Sequence, residues 1–337
     1  MMKNIAILGA GSWGTALSIL LCTNGHSVKV WSIDPEEVLM LNKYREHRDK
    51  LPGVMIPSFI EFTTNMENAI NGADMVVCAV PSPFVRSTMN SASKYIKEGM
   101  IVVDVAKGIE DKTYKTMTEI IRDECPNARV GILSGPSHAE EVGRKIPTTV
   151  VAGSKDKEVA EIIQDTFMND FFRVYTSPDV IGIELGGSLK NVIALAAGIV
   201  DGLGYGDNTK AALMTRGIAE MSRLVTVMGG NIETVAGLSG IGDLIVTCTS
   251  KHSRNRNAGY LMGQGMTYQE AMDEVKMVVE GVYSAKAAYE LGKKYNISMP
   301  IVEAVNRVLF EDESARDEAA ALFLRDKTME STNLKWE

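Results

Sequence analysis

The N-terminal half of the chain alternates short, continuous apolar runs with segments whose apolar residues recur at helical spacing. A continuous apolar run is typical of a parallel strand that is covered on both faces. Strands that alternate with helical segments predict an α/β fold with a doubly wound sheet. The predicted strands cover residues 5–8, 27–31, 74–80, 100–108, 129–135 and 148–153.

The C-terminal half lacks these runs and is rich in Ala, Leu and Met at helical spacing. The change falls between residues 177 and 183, and 337 residues suffice for two domains of ordinary size. We therefore expect one domain over residues 1–180 and an all-helical domain over residues 181–337. The predicted helices cover residues 184–200, 208–228, 267–276, 281–294 and 301–311.

A glycine-rich turn follows the first predicted strand. Gly9, Gly11 and Gly14 form the pattern G-x-G-x-x-G between a strand and a helix, and a second strand follows. In a dinucleotide site the first glycine permits a sharp turn, the second lets the backbone approach a pyrophosphate, and the third lets the helix pack on the sheet. The free N–H groups at the helix start bind the anion. The pattern predicts a dinucleotide-binding domain, and a glycine-rich turn without a ligand is the alternative.

An acidic residue follows the second predicted strand. Asp34 lies 20 residues after Gly14, where an acid accepts hydrogen bonds from the adenosine ribose hydroxyls of NAD. No Arg or Lys lies between Trp31 and Met40 to offset this charge against a 2′-phosphate. NAD is therefore the expected cofactor, and NADP is disfavoured. The alternative is that Asp34 only caps a helix that starts at Pro35.

Polar residues also occur at the ends of later strands, where ligands bind in doubly wound sheets. Lys107 ends the predicted strand 100–108, and Gly135 and Ser137 follow the strand near residue 133. Lys107 is either a functional residue or a solvated loop residue. Ser137 can present its hydroxyl to a ligand, and its spacing to Glu140 also fits a capping box.

A single lysine interrupts the most apolar helical stretch. Lys190 shares its predicted face with small residues, which leave space for a ligand. A buried lysine is costly unless it is paired or has a function. Asp243, in a second apolar and glycine-rich stretch, is the natural partner. The alternatives are a lysine that reaches solvent near a helix start and an aspartate that caps a helix.

An acid-free window follows Asp243. Residues 244–269 contain no Asp or Glu, although the formal net charge of the chain is -8. Lys251, His252, Arg254 and Arg256 are interleaved there with Ser253, Asn255 and Asn257, in what we interpret as a loop. An acidic protein is repelled by polyanions, so nucleic acid is not an expected partner. A small anion such as one phosphate group fits better, because Arg254 can bind its oxygens bidentately.

The cysteines and histidines predict no metal site. The four cysteines are dispersed, and the four histidines show no ligand spacing. The N-terminal residues lack the apolar segment of a secretory signal, and no apolar run is long enough to cross a membrane. We expect a cytoplasmic protein without stable membrane insertion.

The ordered motifs resemble those of one enzyme family. The chain resembles the NAD(P)-dependent glycerol-3-phosphate dehydrogenases almost from end to end. The motifs are GAGSWGTAL, KGIE, LSGPSHAEEV, ELGGSLKNVIALAAGIVDGLGYGDN, GIGDLIVTC, SRNRNAG and MVVEG. The resemblance implies a Rossmann-like domain followed by an all-helical domain, with the site between them.

The resemblance also implies residue roles. Lys190 would be the acid/base for hydride transfer between a nicotinamide and C2 of dihydroxyacetone phosphate or sn-glycerol 3-phosphate, assisted by Lys107 and Asp243. The implied substrate-binding residues are Lys107, Gly135, Ser137, Asp243, Ser253, Arg254 and Asn255. The cofactor-binding residues, with the glycines and Asp34 included, are Gly9, Gly11, Ser12, Trp13, Gly14, Asp34, Lys107, Ala139, Arg254, Val278 and Glu280.

Further expectations follow from this reading. The product would supply glycerol 3-phosphate for glycerophospholipid synthesis, and a second copy of the chain in a homodimer is a candidate partner. A related 2-hydroxyacid or hydroxyacyl-thioester dehydrogenase is one alternative, although it would not need a phosphate-binding segment. A non-catalytic dinucleotide sensor is another, although it would not need Lys190 in a buried helix.

Overall fold

An eight-stranded sheet forms the centre of the N-terminal half in the computed structural model, which describes residues 2–330. Two further strands form a separate antiparallel hairpin. The strands are β1 (Asn4–Leu8), β2 (Ser27–Trp31), β3 (Glu46–His47), β4 (Leu51–Met55), β5 (Glu61–Thr63), β6 (Met75–Cys78), β7 (Ile101–Asp104), β8 (Arg129–Ser134), β9 (Thr148–Gly153) and β10 (Phe172–Ser177).

The order in which the chain adds strands to the sheet reverses beside β1, between β1 and β6. The order is β10-β9-β8-β7-β6-β1-β2-β5, and β3 and β4 form the hairpin. All neighbouring pairs in the large sheet are parallel except β8 and β9. Ile5 of β1 is in register with Val28 on one side and with Met75 on the other. The cleft beyond the carboxyl end of β1 is therefore where this sheet is expected to bind a ligand.

Helices cover both faces of the sheet, as the continuous apolar strands require. Leu17 and Leu20 belong to the buried core on one face, and Met89 and Ile120 to that on the other. The helices of this half are α1 (Ser12–Thr23), α2 (Pro35–Tyr44), α3 (Met66–Ile70), α4 (Val85–Ala92), α5 (Met117–Glu124), α6 (Ala139–Gly143) and α7 (Lys157–Phe167).

The C-terminal half is helical and packs around one buried helix, α8. Nearly every residue of α8 is buried, including Lys190. A short π-helical turn, Leu238–Gly242, precedes α11. The helices are α8 (Val180–Gly202), α9 (Asp207–Val227), α10 (Ile232–Val235), α11 (Asp243–Thr249), α12 (Arg254–Gly263), α13 (Tyr268–Val275), α14 (Glu280–Lys294), α15 (Pro300–Phe310) and α16 (Ala315–Phe323).

The predicted elements are largely confirmed. All six predicted strands and all five predicted helices are present, with ends that differ by a few residues. The interpretation of the basic segment as a loop is wrong, because α12 begins at Arg254. The apolar pattern does not reveal β5, β10 or the hairpin of β3 and β4. These strands are short or carry charged residues, so they lack a continuous apolar run.

The backbones of helices α8 and α12 are in direct contact. A Cβ atom on Gly198 would lie 2.0 Å from the Arg256 carbonyl oxygen, and one on Gly259 would lie 2.0 Å from that of Leu195. Only glycine permits this approach, because a larger side chain would overlap the facing backbone. The contact places the first turn of α12 beside the helix that carries Lys190.

Two stretches are long and apolar enough to cross a membrane by length and composition. They are Val180–Gly202, with 94% of the apolar window buried inside the fold, and Ile232–Thr249, with 39% buried. The first is the core helix α8, and the second spans the short elements from α10 to α11. A core helix meets the same criterion as a membrane span, so the two stretches are weak grounds for insertion.

Candidate active site

The turn after β1 has the geometry expected for a dinucleotide. Gly9 has φ +115°, and a Cβ atom there would lie 2.7 Å from the Ala79 carbonyl oxygen. A Cβ atom on Gly14 would lie 1.9 Å from the Gly9 carbonyl oxygen, whereas one on Gly11 would meet nothing within 4 Å. The first and third glycines thus allow close packing, and the second leaves open space for a ligand.

The first turn of α1 offers backbone donors to that space. The Thr15 N–H donates to the Gly11 carbonyl at 2.9 Å, so the amides of Ser12, Trp13 and Gly14 precede the hydrogen-bonding pattern of the helix. Among the residues that the structure describes, no side chain caps this helix, and its first turn contains no acidic residue. The site fits a pyrophosphate, because free N–H groups and the positive end of the helix dipole both favour an anion.

Asp34 lies at the exposed end of β2 and caps α2. Its Oδ1 accepts a hydrogen bond from the Glu36 N–H at 2.9 Å. The capping alternative is therefore observed. The other carboxylate oxygen, Oδ2, makes no hydrogen bond within the described residues.

Two lysines share one buried aspartate at the junction of the two halves. Lys190 Nζ lies 3.0 Å from Asp243 Oδ1, and Lys107 Nζ lies 2.6 Å from Asp243 Oδ2. Lys190 also donates to Thr247 Oγ1 at 2.7 Å, and Lys107 donates to the Gly135 carbonyl at 2.9 Å. Lys190 and Asp243 are 5% and 2% exposed. The predicted partnership of Lys190 with Asp243 is confirmed, and Lys107 joins it from the other half.

The surroundings of this cluster shift the protonation of its members. Burial lowers the pKa of Lys190 to about 8; Asp243 opposes this shift, and Lys107 adds to it. Burial would raise the pKa of Asp243, but the two lysines outweigh it and hold that pKa below its usual range. Lys190 is thus a buried amine that can exchange a proton near neutral pH, which suits general acid/base chemistry.

The segment after β8 faces the lysine cluster. Gly135 has φ +131°, and the Ser137 hydroxyl donates to its carbonyl at 2.9 Å. The predicted capping box is wrong, because α6 starts at Ala139 and its N-cap residue is His138. The N-cap thus falls one residue later than the Ser–Glu spacing indicates.

The first turn of α12 presents one arginine without a protein partner. Arg254 is exposed and makes no hydrogen bond or ion pair within residues 2–330. Arg256 instead pairs with Asp201 at 2.6 Å. The buried Ser253 hydroxyl caps the helix by accepting from the Arg256 N–H at 3.2 Å. Within the first turn of α12, Arg254 and the free backbone amides are therefore the groups available to an anion.

A chain of amide hydrogen bonds joins this turn to the rest of the site. Asn191 Nδ2 donates to the Lys107 carbonyl at 3.3 Å, and Asn255 Nδ2 donates to Asn191 Oδ1 at 2.9 Å. The Gly281 N–H then donates to Asn255 Oδ1 at 2.8 Å. The side chain of Asn255 is therefore engaged at both ends within the protein.

The start of α14 connects the two halves on another side. Val278 lies just before α14, and Glu280 is its first residue. The Glu280 carboxylate accepts hydrogen bonds from the Ser82 N–H at 3.0 Å and from the Ser82 hydroxyl. Burial raises the pKa of Glu280, although both bonds from Ser82 oppose the shift. Ser82 lies in the VPSPF segment after β6, which its place beyond a strand end marks as a candidate ligand-binding segment, although the sequence assigns Ser82 no role.

The structure thus brings most of the selected residues to one junction. Lys107, Lys190 and Asp243 are in direct contact, whereas Asp34 lies beyond the end of β2, by the start of α2. Thr247 and Asn191 were missed, because only the tertiary contacts show that they touch the cluster. No group of three or more His, Cys, Asp or Glu side chains in the described part of the chain could hold a metal ion.

The fold and the site define a class of protein. A glycine-rich turn that suits a pyrophosphate lies in one half, and a buried amine of lowered pKa in the other half shares Asp243 with Lys107 of the first. This is the arrangement of a nicotinamide-dependent dehydrogenase with a Rossmann-like domain. Two family models then match the chain: the N-terminus of NAD-dependent glycerol-3-phosphate dehydrogenase at residues 4–160, and its C-terminus at residues 179–320. The chain belongs to the NAD-dependent glycerol-3-phosphate dehydrogenase family.

Individual relatives agree with the family models. The chain is 61% identical over 335 residues to a glycerol-3-phosphate dehydrogenase [NAD(P)+] of Agathobacter rectalis, covering 99% of this chain and 100% of the relative. A protein of the same name from Fusobacterium nucleatum is 55% identical, with 98% and 99% covered. The crystal structure of glycerol-3-phosphate dehydrogenase from Coxiella burnetii has a TM-score of 0.93 at 35% identity, with 96% and 99% covered.

These matches confirm the predicted family, fold class and enzyme class. They also support the predicted activity, the interconversion of dihydroxyacetone phosphate and sn-glycerol 3-phosphate with a nicotinamide cofactor. The relatives are named for both NAD and NADP, so the names leave the choice of cofactor open.

Proposed function

We propose that Lys190 is the acid/base of this interconversion and that Lys107 and Asp243 are its catalytic partners. The contact of both lysines with the buried Asp243 carries the proposal. Asp243 holds each ammonium in place, and the lowered pKa of Lys190 lets it give up a proton readily. Residues 1–180 would form the dinucleotide-binding unit and residues 181–337 the catalytic unit.

In the direction of reduction, the C2 carbonyl of dihydroxyacetone phosphate is converted to an alcohol. When bound, the nicotinamide would supply the hydride to C2, and Lys190 would supply the proton on the new hydroxyl. Lys107 polarises the carbonyl and stabilises the developing oxyanion. In the reverse direction, neutral Lys190 removes the hydroxyl proton.

The substrate phosphate would bind at the first turn of α12. Arg254 supplies a planar guanidinium for bidentate binding, and the backbone amides of Arg254 and Asn255 precede the helix hydrogen bonds. Ser253 and the side chain of Asn255 hold this turn in place. Gly135 and Ser137 line the substrate from the opposite side. Fixing the phosphate converts binding energy into orientation of C2.

The cofactor would lie across the carboxyl ends of β1 and β6. Its pyrophosphate would contact Gly9, Gly11, Ser12, Trp13 and Gly14, and its ribose hydroxyls would contact Asp34. The remaining contacts come from residues that surround the junction of the two halves. They are Lys107, Ala139, Arg254, Val278 and Glu280.

We expect NADH to be preferred over NADPH. A 2′-phosphate would bring negative charge against Asp34, and the free carboxylate oxygen of Asp34 is suited to a ribose hydroxyl. One lost charged hydrogen bond corresponds to a preference in kcat/KM of about tenfold or more. Steady-state rates with both cofactors measure this, and Asp34→Arg should narrow or reverse the ratio. Equal efficiency in the unmutated enzyme would show that Asp34 only caps α2.

One assay separates the proposed function from its alternatives. NADH oxidation is followed with dihydroxyacetone phosphate, with unphosphorylated dihydroxyacetone and with 2-oxo acids as acceptors. Rapid turnover of the phosphorylated substrate alone supports the proposal. Comparable turnover of 2-oxo acids would favour a 2-hydroxyacid dehydrogenase, and cofactor binding without turnover would favour a sensor.

The wider role follows from the product. Glycerol 3-phosphate made in this way would supply glycerophospholipid synthesis, and we place the enzyme in the cytoplasm. A homodimer stays a prediction, which the mass of the purified enzyme in solution checks.

A further inference from the structure

A buried polar cluster packs against the segment that follows β2. None of its side chains takes part in the proposed mechanism. Its centre is the Glu37 carboxylate in the first turn of α2, which is 8% exposed. Glu37 Oε2 accepts from the Ser32 hydroxyl at 2.5 Å. Glu37 Oε1 accepts from His47 Nε2 at 3.0 Å and from Lys50 Nζ at 2.5 Å. Three donors, one from the segment after β2 and two from the hairpin of β3 and β4, therefore converge on one carboxylate.

The hydrogen bonds define the charges in this cluster. The Lys50 N–H donates to His47 Nδ1 at 3.3 Å, so Nδ1 is an acceptor and the proton lies on Nε2. His47 therefore donates to Glu37 through Nε2. Burial would raise the pKa of Glu37, but the bonds from His47, Lys50 and Ser32 outweigh it and lower that pKa to about 2. The cluster holds one carboxylate and one ammonium, which balance each other.

The cluster is connected to the residue expected to meet the adenosine ribose. The Ser32 hydroxyl, besides donating to Glu37, accepts from the Asp34 N–H at 3.2 Å. Ser32 thus joins the backbone of Asp34 to the Glu37 carboxylate. Lys50 comes from the turn between β3 and β4, so the hairpin brings a cation to a region where the local sequence has none.

We propose that Glu37 is a positioning residue that sets the choice between NAD and NADP. Glu37 fixes Ser32 and thereby presents Asp34 to the ribose hydroxyls, and it keeps the Lys50 ammonium from pairing with a 2′-phosphate. The Lys50 side chain is 40% exposed, so it has room to move once its partner loses its charge. The inference rests on the proposed placement of the adenosine ribose at Asp34.

The test compares Glu37→Gln with the unmutated enzyme, using kcat/KM for NADH and for NADPH. Loss of the charged partner should lower the NADH value and raise the NADPH value, so that their ratio shifts by about tenfold towards NADPH. KM for dihydroxyacetone phosphate should not change. Glu36→Gln is the matched control, because Glu36 is the exposed neighbour on the same helix and should leave the ratio unchanged. Adding Lys50→Met to Glu37→Gln should remove the gain with NADPH.

Two results would overturn the inference: an unchanged ratio in folded Glu37→Gln, or equal losses with both cofactors. If Glu37→Gln does not fold, Ser32→Ala and Ser32→Thr replace it. Alanine removes the hydroxyl and should shift the ratio, whereas threonine keeps it and should not; equal ratios would refute the role. Equal use of NADH and NADPH by the unmutated enzyme would instead contradict the proposed NADH preference. The role of Glu37 is tested separately, by the change in the kcat/KM ratio on mutation.

Discussion

The starts of α1 and α12 are both suited to bind a phosphate group, but different atoms supply the donors. At α1 the donors are backbone amides that Gly9, Gly11 and Gly14 make accessible, and no charged side chain takes part. At α12 an exposed arginine is added, and buried Ser253 and Asn255 hold the turn. The first site depends on one local turn, whereas the second depends on contacts with distant residues.

This difference has a chemical consequence for the two ligands. A backbone site recognises the pyrophosphate that all nicotinamide dinucleotides share, and it is sensitive only to changes in chain conformation. A side-chain site can be tuned to one substrate and can be placed against the catalytic amine. The largest losses of activity should therefore come from the charged residues of the C-terminal half, with cofactor binding preserved.

Lys190→Met should have the largest effect. Removal of the proposed acid/base should lower kcat by about 10²- to 10⁴-fold, while the Kd for NADH stays the same. Stopped-flow turnover and NADH fluorescence titration measure the two quantities. Lys157→Met, at an exposed lysine, is the control. Comparable kcat in folded Lys190→Met would exclude the assigned role.

Arg254→Ala should come next. KM for dihydroxyacetone phosphate should rise about ten- to hundredfold, because a charged hydrogen bond contributes roughly 1.5–3 kcal/mol. Use of unphosphorylated dihydroxyacetone should change far less. Lys251→Ala removes a neighbouring exposed charge and serves as the control. Equal losses with the two substrates would mean that Arg254 does not bind the phosphate.

Gly11→Ala tests the proposed pyrophosphate-binding turn at the start of α1. A Cβ atom there meets no protein atom, so the melting temperature without ligand should stay within about 5 °C. The added methyl group would occupy the space proposed for the pyrophosphate, and the Kd for NADH should rise about tenfold. Gly14→Ala should instead lower the melting temperature, because its Cβ atom would overlap the Gly9 carbonyl. An unchanged Kd for NADH in Gly11→Ala would contradict the placement of the pyrophosphate at this turn.

The smallest effect is on the pH profile. The pKa of Lys190, about 8, lies below its ordinary value of 10.5, so the ammonium form is lost as the pH rises through about 8. Reduction should slow above that pH, and oxidation should accelerate. Asp243 raises the pKa of Lys190, so Asp243→Asn should move the midpoint to lower pH. Profiles of kcat in both directions measure it, and a shift to higher pH would contradict the assigned pairing.

The parts that the sequence predicted well are those encoded locally. The glycine spacing, the apolar strands and the periodic helices each depend on neighbouring residues, and all are present in the structure. The local pattern also singles out Lys190, Asp243 and Arg254, and the family resemblance implies their roles, which remain predictions. The pairing of Lys190 with Asp243 was also recognisable, because a buried lysine requires an opposite charge.

The parts that could not be predicted depend on contacts between distant residues. Arg256 belongs to the basic segment, but it pairs with Asp201 near the end of α8, a carboxylate that Lys210 also contacts. Asn255 was expected to face the phosphate, but its amide is engaged by Asn191, which lies 64 residues earlier. The sequence next to Asp34 contains no basic residue. The hairpin of β3 and β4 nevertheless places Lys50 against Glu37 of α2.

The amide chain from Lys107 to Gly281 constrains how this protein can change during evolution. Each link runs in one direction, since Asn191 and Asn255 both donate through nitrogen and accept through oxygen. A single replacement of Asn191 by an apolar residue leaves the Lys107 carbonyl and the Asn255 amide without their hydrogen-bond partner. The loss lowers the stability of the fold by about 1–3 kcal/mol for each buried group. A second replacement at Asn255 removes part of that penalty. The two positions are therefore expected to be inherited as a pair, with a change at either one tolerated mainly after a compensating change at the other.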